Sequence, residues 1–184
     1  VWPDMEAEMR AAGVPLVSLE SARPLRDFDV VGFSLQYELT YTNILQMLDL
    51  AGIPLRSSER SEDDPIVVAG GPCATHPEAI APFIDAFLIG DGEVKALEMA
   101  ALAAKRRRGD LSRVGMLREL AKAGGFYVPV FYERAVDEDT GFIVVKGPKP
   151  EYPEAPLPVE RHFVENLAEH PFPEDGPVAL ATTI

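Results

Sequence analysis

Asp29-Val30-Val31-Gly32-Phe33-Ser34-Leu35-Gln36 is a short apolar run that stops abruptly at small and polar residues. That is how a strand buried in a parallel sheet reads when its carboxyl end opens onto a ligand site. The pattern returns in Pro65-Ile-Val-Val-Ala-Gly-Gly-Pro-Cys73 and in Asp85-Ala-Phe-Leu-Ile-Gly-Asp-Gly-Glu93. Ser, Gly-Gly and Gly-Asp-Gly-Glu then gather along one edge of an open α/β sheet. Ligands of such sheets bind in the crevice beyond the carboxyl ends of the strands.

Helical segments alternate with these runs. Pro3 to Ala12 reads as a short helix, with acids behind a first-turn proline and Gly13 at the C-cap position. Leu39 to Ala51 carries Ile44, Met47, Leu48 and Ala51 at helical spacing and ends at Gly52. Ser57–Asp64 reads as a polar loop and Pro77–Phe83 as a short helix. Glu93–Arg107 reads as a strongly amphipathic helix with Val94, Leu97, Met99, Ala101 and Leu102 over a broad face. Alternation of this kind predicts an open, mostly parallel, doubly wound α/β sheet, Rossmann-like or flavodoxin-like. Three good strands are few for that class, so either strands are missing on the N-terminal side or the sheet is small. Leu111–Ala123 predicts another helix, completing an α/β unit over 1–124. Residues 125–147 read as a β-hairpin appendage: Phe126–Tyr132 and Gly141–Lys146 flank the acidic turn Asp137-Glu-Asp-Thr140, and Pro129 marks an edge or a bulge. Residues 148–184 form a Pro-rich linker, extended and without a core of its own, ending on the strand-like Val178–Ile184.

The 184 residues are 47% hydrophobic and 26% charged, ordinary values for a globular chain. No apolar run approaches the ~20 residues that cross a bilayer, and the N-terminus carries no signal-peptide pattern, so the expected location is the cytoplasm. The chain does not open on Met, which suggests a fragment of a longer protein. A net charge of −13 argues against nucleic acid as a partner of this segment. The one basic cluster, Lys105-Arg-Arg-Arg108, sits where it complements a helix dipole. A single cysteine, Cys73, cannot form an intramolecular disulfide and cannot hold a zinc or iron–sulfur centre alone.

The stretch from Asp29 through Glu93 resembles the cobalamin-binding-type Rossmann-like domain that precedes radical SAM cores. The marks are Val31-Gly-Phe-Ser-Leu-Gln36, Ala69-Gly-Gly-Pro-Cys-Ala74 and Ile89-Gly-Asp-Gly-Glu93. Gly125-Phe-Tyr-Val-Pro129, the hairpin and the Pro-rich linker are similar to the bridge before the barrel in uncharacterised bacterial B12-binding/radical SAM proteins. The resemblance implies an accessory domain that presents a corrinoid or a substrate to a [4Fe–4S]/S-adenosylmethionine site elsewhere in the same polypeptide, with no catalysis by this segment. It places Ser34 and Gly70-Gly71 against the nucleotide tail of a corrinoid. There a Cβ would clash, and a small hydroxyl can bond a ring nitrogen. Two departures follow. The Asp-x-His-x-x-Gly motif that supplies an axial histidine is absent, since His76, His162 and His170 all lie downstream of Ser34. Ser34 is also followed by Leu35-Gln36 rather than by any residue and then Leu. A base-off cobalamin without an axial histidine, or a scaffold that keeps the fold and binds nothing, both remain open. The three-cysteine radical SAM motif is expected beyond Ile184.

The candidate contact residues are therefore Ser34, Leu35, Gln36, Tyr37, Gly70, Gly71, Pro72, Cys73, Gly90 and Gly92, with no catalytic and no metal-binding residue among them. Cys73 and His76 have the types of a nucleophile and its base, but nothing supplies an oxyanion hole, and a tight post-strand turn explains them as well. Asp91 and Glu93 oppose phosphate at the following helix and read as its caps. Tyr37, Tyr41 and Asn43 either stack on a planar ligand or pack at a domain junction. His162 and His170 read as surface residues or contacts to a neighbouring domain.

Overall fold

A computed structural model describes residues 3–170. The strand expected at Val178–Ile184 and the prolines at 171, 173 and 177 lie outside them. Helix α1 (Pro3–Ala12) is tied to its own first turn by Glu6–Arg10, 2.8 Å, and to α2 (Tyr41–Leu50) by Arg10–Asp49, 2.6 Å. Gly13, at φ +63°, ends it as the C-cap reading requires.

The main sheet has the order β1 (Val30–Ser34), β2 (Ile66–Gly70), β3 (Ala86–Leu88), β4 (Phe126–Tyr127). The first three strands are parallel, with Val30 opposite Ile66, Ser34 opposite Gly70 and Val68 opposite Ala86. The open, mostly parallel α/β sheet is thus present. The fourth strand is a difference: Phe126 and Tyr127, read as part of a hairpin arm, pair antiparallel with Leu88 and Phe87. Proline cannot donate to a ladder, so the arm breaks at Pro129–Phe131 into a 3₁₀ turn. It resumes as β5 (Tyr132–Val136), paired antiparallel with β6 (Ile143–Pro148). Pro77–Phe83, expected as one helix, is two separate 3₁₀ turns, Pro77–Ala79 and Ala81–Phe83. Pro77 is harmless at a first helical position, but Pro82 lacks the N–H that a continuous helix would need there.

The core forms around β2, whose Ile66, Val67, Val68 and Ala69 are all buried. Each of the Ile and Val side chains contributes roughly 1.5–3 kcal/mol when fully buried. Ile44, Leu48 and Leu50 of α2, and Met116, Leu117 and Leu120 of α4 (Arg113–Lys122), supply buried helix stripes. Helix α3 (Glu93–Arg107) behaves differently. Only Lys95 and Ala103 are fully buried on it, and Leu97, expected on its apolar face, is 72% exposed. It lies beside the sheet without sealing it, and that gap becomes the site described below.

A buried ionic knot holds the amino ends of the strands. Asp85, fully buried, accepts from Arg60 at 2.9 Å, Arg113 at 2.6 Å and the Val67 backbone N–H at 2.7 Å, with the Ser57 hydroxyl as a fourth donor. Arg60 also donates to the carbonyls of Pro54, Leu55 and Phe83. The segment read as a plain polar loop is therefore anchored by a fully desolvated arginine.

Beyond Pro148, the described part of the Pro-rich linker makes only the 3₁₀ turn Leu167–Glu169 and an isolated bridge of His162 to Gly90, yet it docks. Tyr152 stacks on Phe131 with centroids 4.0 Å apart, the Arg118 guanidinium lies 4.8 Å over Tyr152, and the Tyr132 hydroxyl donates to Pro156 O. Burial pushes that phenol up to about 12. No helix among the described residues is long and apolar enough to cross a membrane.

Candidate functional site

The parallel register places Ser34 directly beside Gly70 at the carboxyl end of the sheet. Because side chains alternate along a strand, Gly32 and Ser34 of β1 share one face with Val68 and Gly70 of β2. The chain after β1 then clamps the chain after β2. The Leu35 N–H donates to Gly70 O at 2.7 Å, and Leu35 O accepts from the Cys73 N–H at 3.0 Å. Leu35 itself is fully buried beneath this crossing. Gly71, at φ +94°, sits inside it, and a Cβ there would lie 3.2 Å from Leu35 N, Leu35 O and Ser34 Oγ. Only glycine fits.

Above the clamp lies an apolar groove of about 310 Å³. Its floor is Gly32, Ser34 and Gly70, its wall is Ala96 and Met99 of α3, and Leu88 and Phe126 line it further along. Gly32 and Gly70 have no internal reason to be glycine. An added Cβ would meet Val68 Cγ2 at 3.7 Å at the first, and Leu88 O at 3.8 Å and Leu88 Cβ at 3.9 Å at the second, all ordinary contact distances. Their missing side chains leave the groove open rather than relieve a clash. Lys95 is the only charged residue of the lining; it is buried and donates to Glu98 at 2.8 Å and to Ala123 O at 2.7 Å, bridging α3 to the carbonyl end of α4.

The remaining candidates divide. Gln36 Nε2 donates to Ser34 Oγ at 2.6 Å, holding the hydroxyl at the rim, while Tyr37 is exposed beside it. Gly90 and Gly92 line the groove's far end. Gly90, at φ +112°, also receives the linker: an added Cβ would fall within the van der Waals shell of His162 O and 2.9 Å from Arg161 Cγ. Here His162 N–H donates to Ile89 O at 2.9 Å, and Asp91 N–H donates to His162 O at 3.0 Å. Asp91 does not cap α3. Its carboxylate accepts from the Val164 N–H at 2.9 Å and faces Arg161, and these bonds hold it below the usual carboxylate range. So Gly-Asp-Gly-Glu grips the linker at the mouth of the groove, and His162 is part of that grip.

Pro72 and Cys73 belong to the 3₁₀ turn Pro72–Thr75 and do not line the groove, whereas Gly70 and Gly71 just before them do. Burial and then Glu38 push the Cys73 thiol up, and Tyr41 adjoins it. The His76 ring turns to Thr75 Oγ1 at 3.0 Å. A thiol raised in this way is not an activated nucleophile. No group of three His, Cys, Asp or Glu side chains that could hold a metal occurs among the described residues.

Sequence reasoning missed Met99, Ala96, Leu88 and Phe126. The first two follow from placing α3 over β1, which no periodicity reports. The last two need the antiparallel β4. Residues 1–129 match a family model described as radical SAM proteins, N-terminal. No curated protein and no solved structure gives a significant match to the chain.

Proposed function

The chain belongs to the family of radical SAM protein N-terminal regions, and from that premise we propose that its groove presents a corrinoid or a substrate to the radical-generating site of the same polypeptide. Membership implies a [4Fe–4S] cluster and S-adenosylmethionine in the parent protein; the single Cys73 cannot supply the cluster's thiolates. The observation that carries the reading is the pair Gly32 and Gly70, glycines that their own fold does not require, laid along the floor of an apolar slot.

Of the corrinoid's parts, the nucleotide tail fits this slot. A volume of about 310 Å³ takes a flat aromatic base and excludes a whole corrin ring. Ser34 and Gln36 would meet a ring nitrogen at the rim, and Gly70 with Leu88 and Met99 would sandwich the ring. No histidine lies on the groove among the described residues, so a corrinoid held there would take no imidazole from this lining. A bound corrinoid supplies a cobalt centre for methyl or electron transfer; these residues bind, orient and exclude water.

A second reading, a ligand-free scaffold that positions the next domain, is favoured by one observation: Gln36 already occupies the Ser34 hydroxyl at 2.6 Å. One experiment separates the two. The purified chain is incubated with hydroxocobalamin, desalted and examined by visible absorption, beside Gly70→Ala, whose added Cβ narrows the slot at ordinary contact distances. Corrinoid absorbance retained by the parent and lost in the variant supports the first reading. A folded parent chain that retains none supports the second.

A further inference from the structure

At the amino ends of the strands, away from the groove, we infer a second binding site, one for the phosphate group of a small phosphate monoester. A cavity of about 220 Å³ opens between the loop after α2, the start of β5 and the beginning of the linker. Three cations from these three segments line it: Arg56, Arg134 and Lys149. No carboxylate is among its lining residues.

That composition is unusual for this molecule. With a net charge of −13, acids outnumber bases, and most arginines find one: Arg26 pairs with Asp64, Arg107 with Asp29, Arg108 with Asp110 and Arg118 with Glu154. Arg56 and Lys149 have no ion-pair partner among the described residues. Arg134, the third, pairs with Glu78 at 3.4 Å and donates to Pro129 O at 3.2 Å, so Arg56 and Lys149 are the uncommitted cations of the cavity. Glu59, three residues on, accepts from the Arg56 backbone N–H rather than from its guanidinium. Like charges converging on one cavity repel unless an anion joins them.

The chemistry of the lining selects the anion. The Arg56 guanidinium fork and the Lys149 ammonium, with Arg134 adding positive charge beside them, suit a group with three acceptor oxygens and nearly two negative charges better than a carboxylate. Ser58 adds a hydroxyl at the rim. Ile84, Pro129 and Val130 give an apolar floor for the carbon part of an ester. Arg56 is steadied over the Phe83 ring at 5.6 Å, which lowers the entropy lost when it closes on an anion.

The test titrates the full chain with inorganic phosphate, ribose 5-phosphate and acetate, followed by ³¹P and ¹H NMR at low ionic strength. The double variant Arg56→Gln/Lys149→Gln runs beside it, with Arg108→Gln as a control remote from the cavity. Circular dichroism confirms that each folds. Saturable phosphate binding, tighter for the ester than for inorganic phosphate, weakened about tenfold or more in the double variant and unchanged in the control, is expected. Absence of saturable binding to the parent chain, equal binding by the double variant, or acetate binding as tightly as phosphate overturns the assignment.

Discussion

Replacing Gly90 by Ala should release the linker from the mouth of the groove while leaving the sheet folded. Two effects add. At φ +112° a side chain costs roughly 1–3 kcal/mol in backbone strain. The new Cβ also meets the carbonyl of His162 and, at 2.9 Å, its carbonyl carbon. These are backbone atoms, which cannot swing aside as a side-chain tip would, so the linker must leave. It then gives up His162 N–H to Ile89 O, Asp91 N–H to His162 O and Val164 N–H to the Asp91 carboxylate. At about 0.5–1.5 kcal/mol net each, docking loses roughly 1.5–4.5 kcal/mol. Hydrogen exchange reads this directly: the amides of Asp91, His162 and Val164 should exchange about ten- to a thousandfold faster. The amides of Leu35 and Val67, bonded inside the sheet and the Asp85 knot, should stay protected. Gly109→Ala is the control, since it sits at φ +81° with nothing within 4 Å, and so brings strain without collision. Unchanged protection of Asp91, His162 and Val164 in Gly90→Ala, or equal loss in Gly109→Ala, would refute the reasoning.

Asp85→Asn should destabilise the fold by about 3–5 kcal/mol in urea unfolding, because it leaves Arg60 and Arg113 buried without a counter-charge; a loss below 1 kcal/mol would show that the knot is not desolvated. Gly71→Ala should cost roughly 1–3 kcal/mol, whereas Gly32→Ala should leave stability unchanged or raise it by about 0.4–1 kcal/mol; urea midpoints in the reverse order would contradict the two roles assigned to these glycines. The Asp91 carboxyl lies below its ordinary value near ~3.9, chiefly because of the Val164 N–H, so its contribution to linker docking should hold above that value and vanish as pH falls through the lower folded one. Amide exchange at Val164 should therefore stay slow, relative to its intrinsic rate, down to about pH 5 and lose protection below about pH 4, and Asp91→Asn should remove that dependence.

Where the sequence was legible, local rules and tertiary packing agreed. Helix α3 begins at Glu93 and ends at Arg107 as its pattern predicts, while β1 stops at Ser34, two residues before the expected Gln36, and β2 at Gly70, one past the expected Ala69. Where it was not, a partner far along the chain made the choice. Nothing near Arg60 announces that it will be buried, since Asp85 and three carbonyls supply its bonds. Asp91 looked like a helix cap because the Val164 N–H that claims it lies 73 residues away.

By itself, then, the order of residues determined the three parallel strands, helices α1 to α4 and the edge on which Ser34 and Gly70 meet, because period, turn chemistry and handedness act over a few residues or by a general rule. Only the tertiary structure decided which glycines keep a space open and which are crowded by backbone: Gly32 and Gly70 face the groove, while Gly71 and Gly90 are pressed against Leu35 and His162. A glycine's identity carries no record of what fills the place of its absent side chain, and that is known only once distant segments have packed.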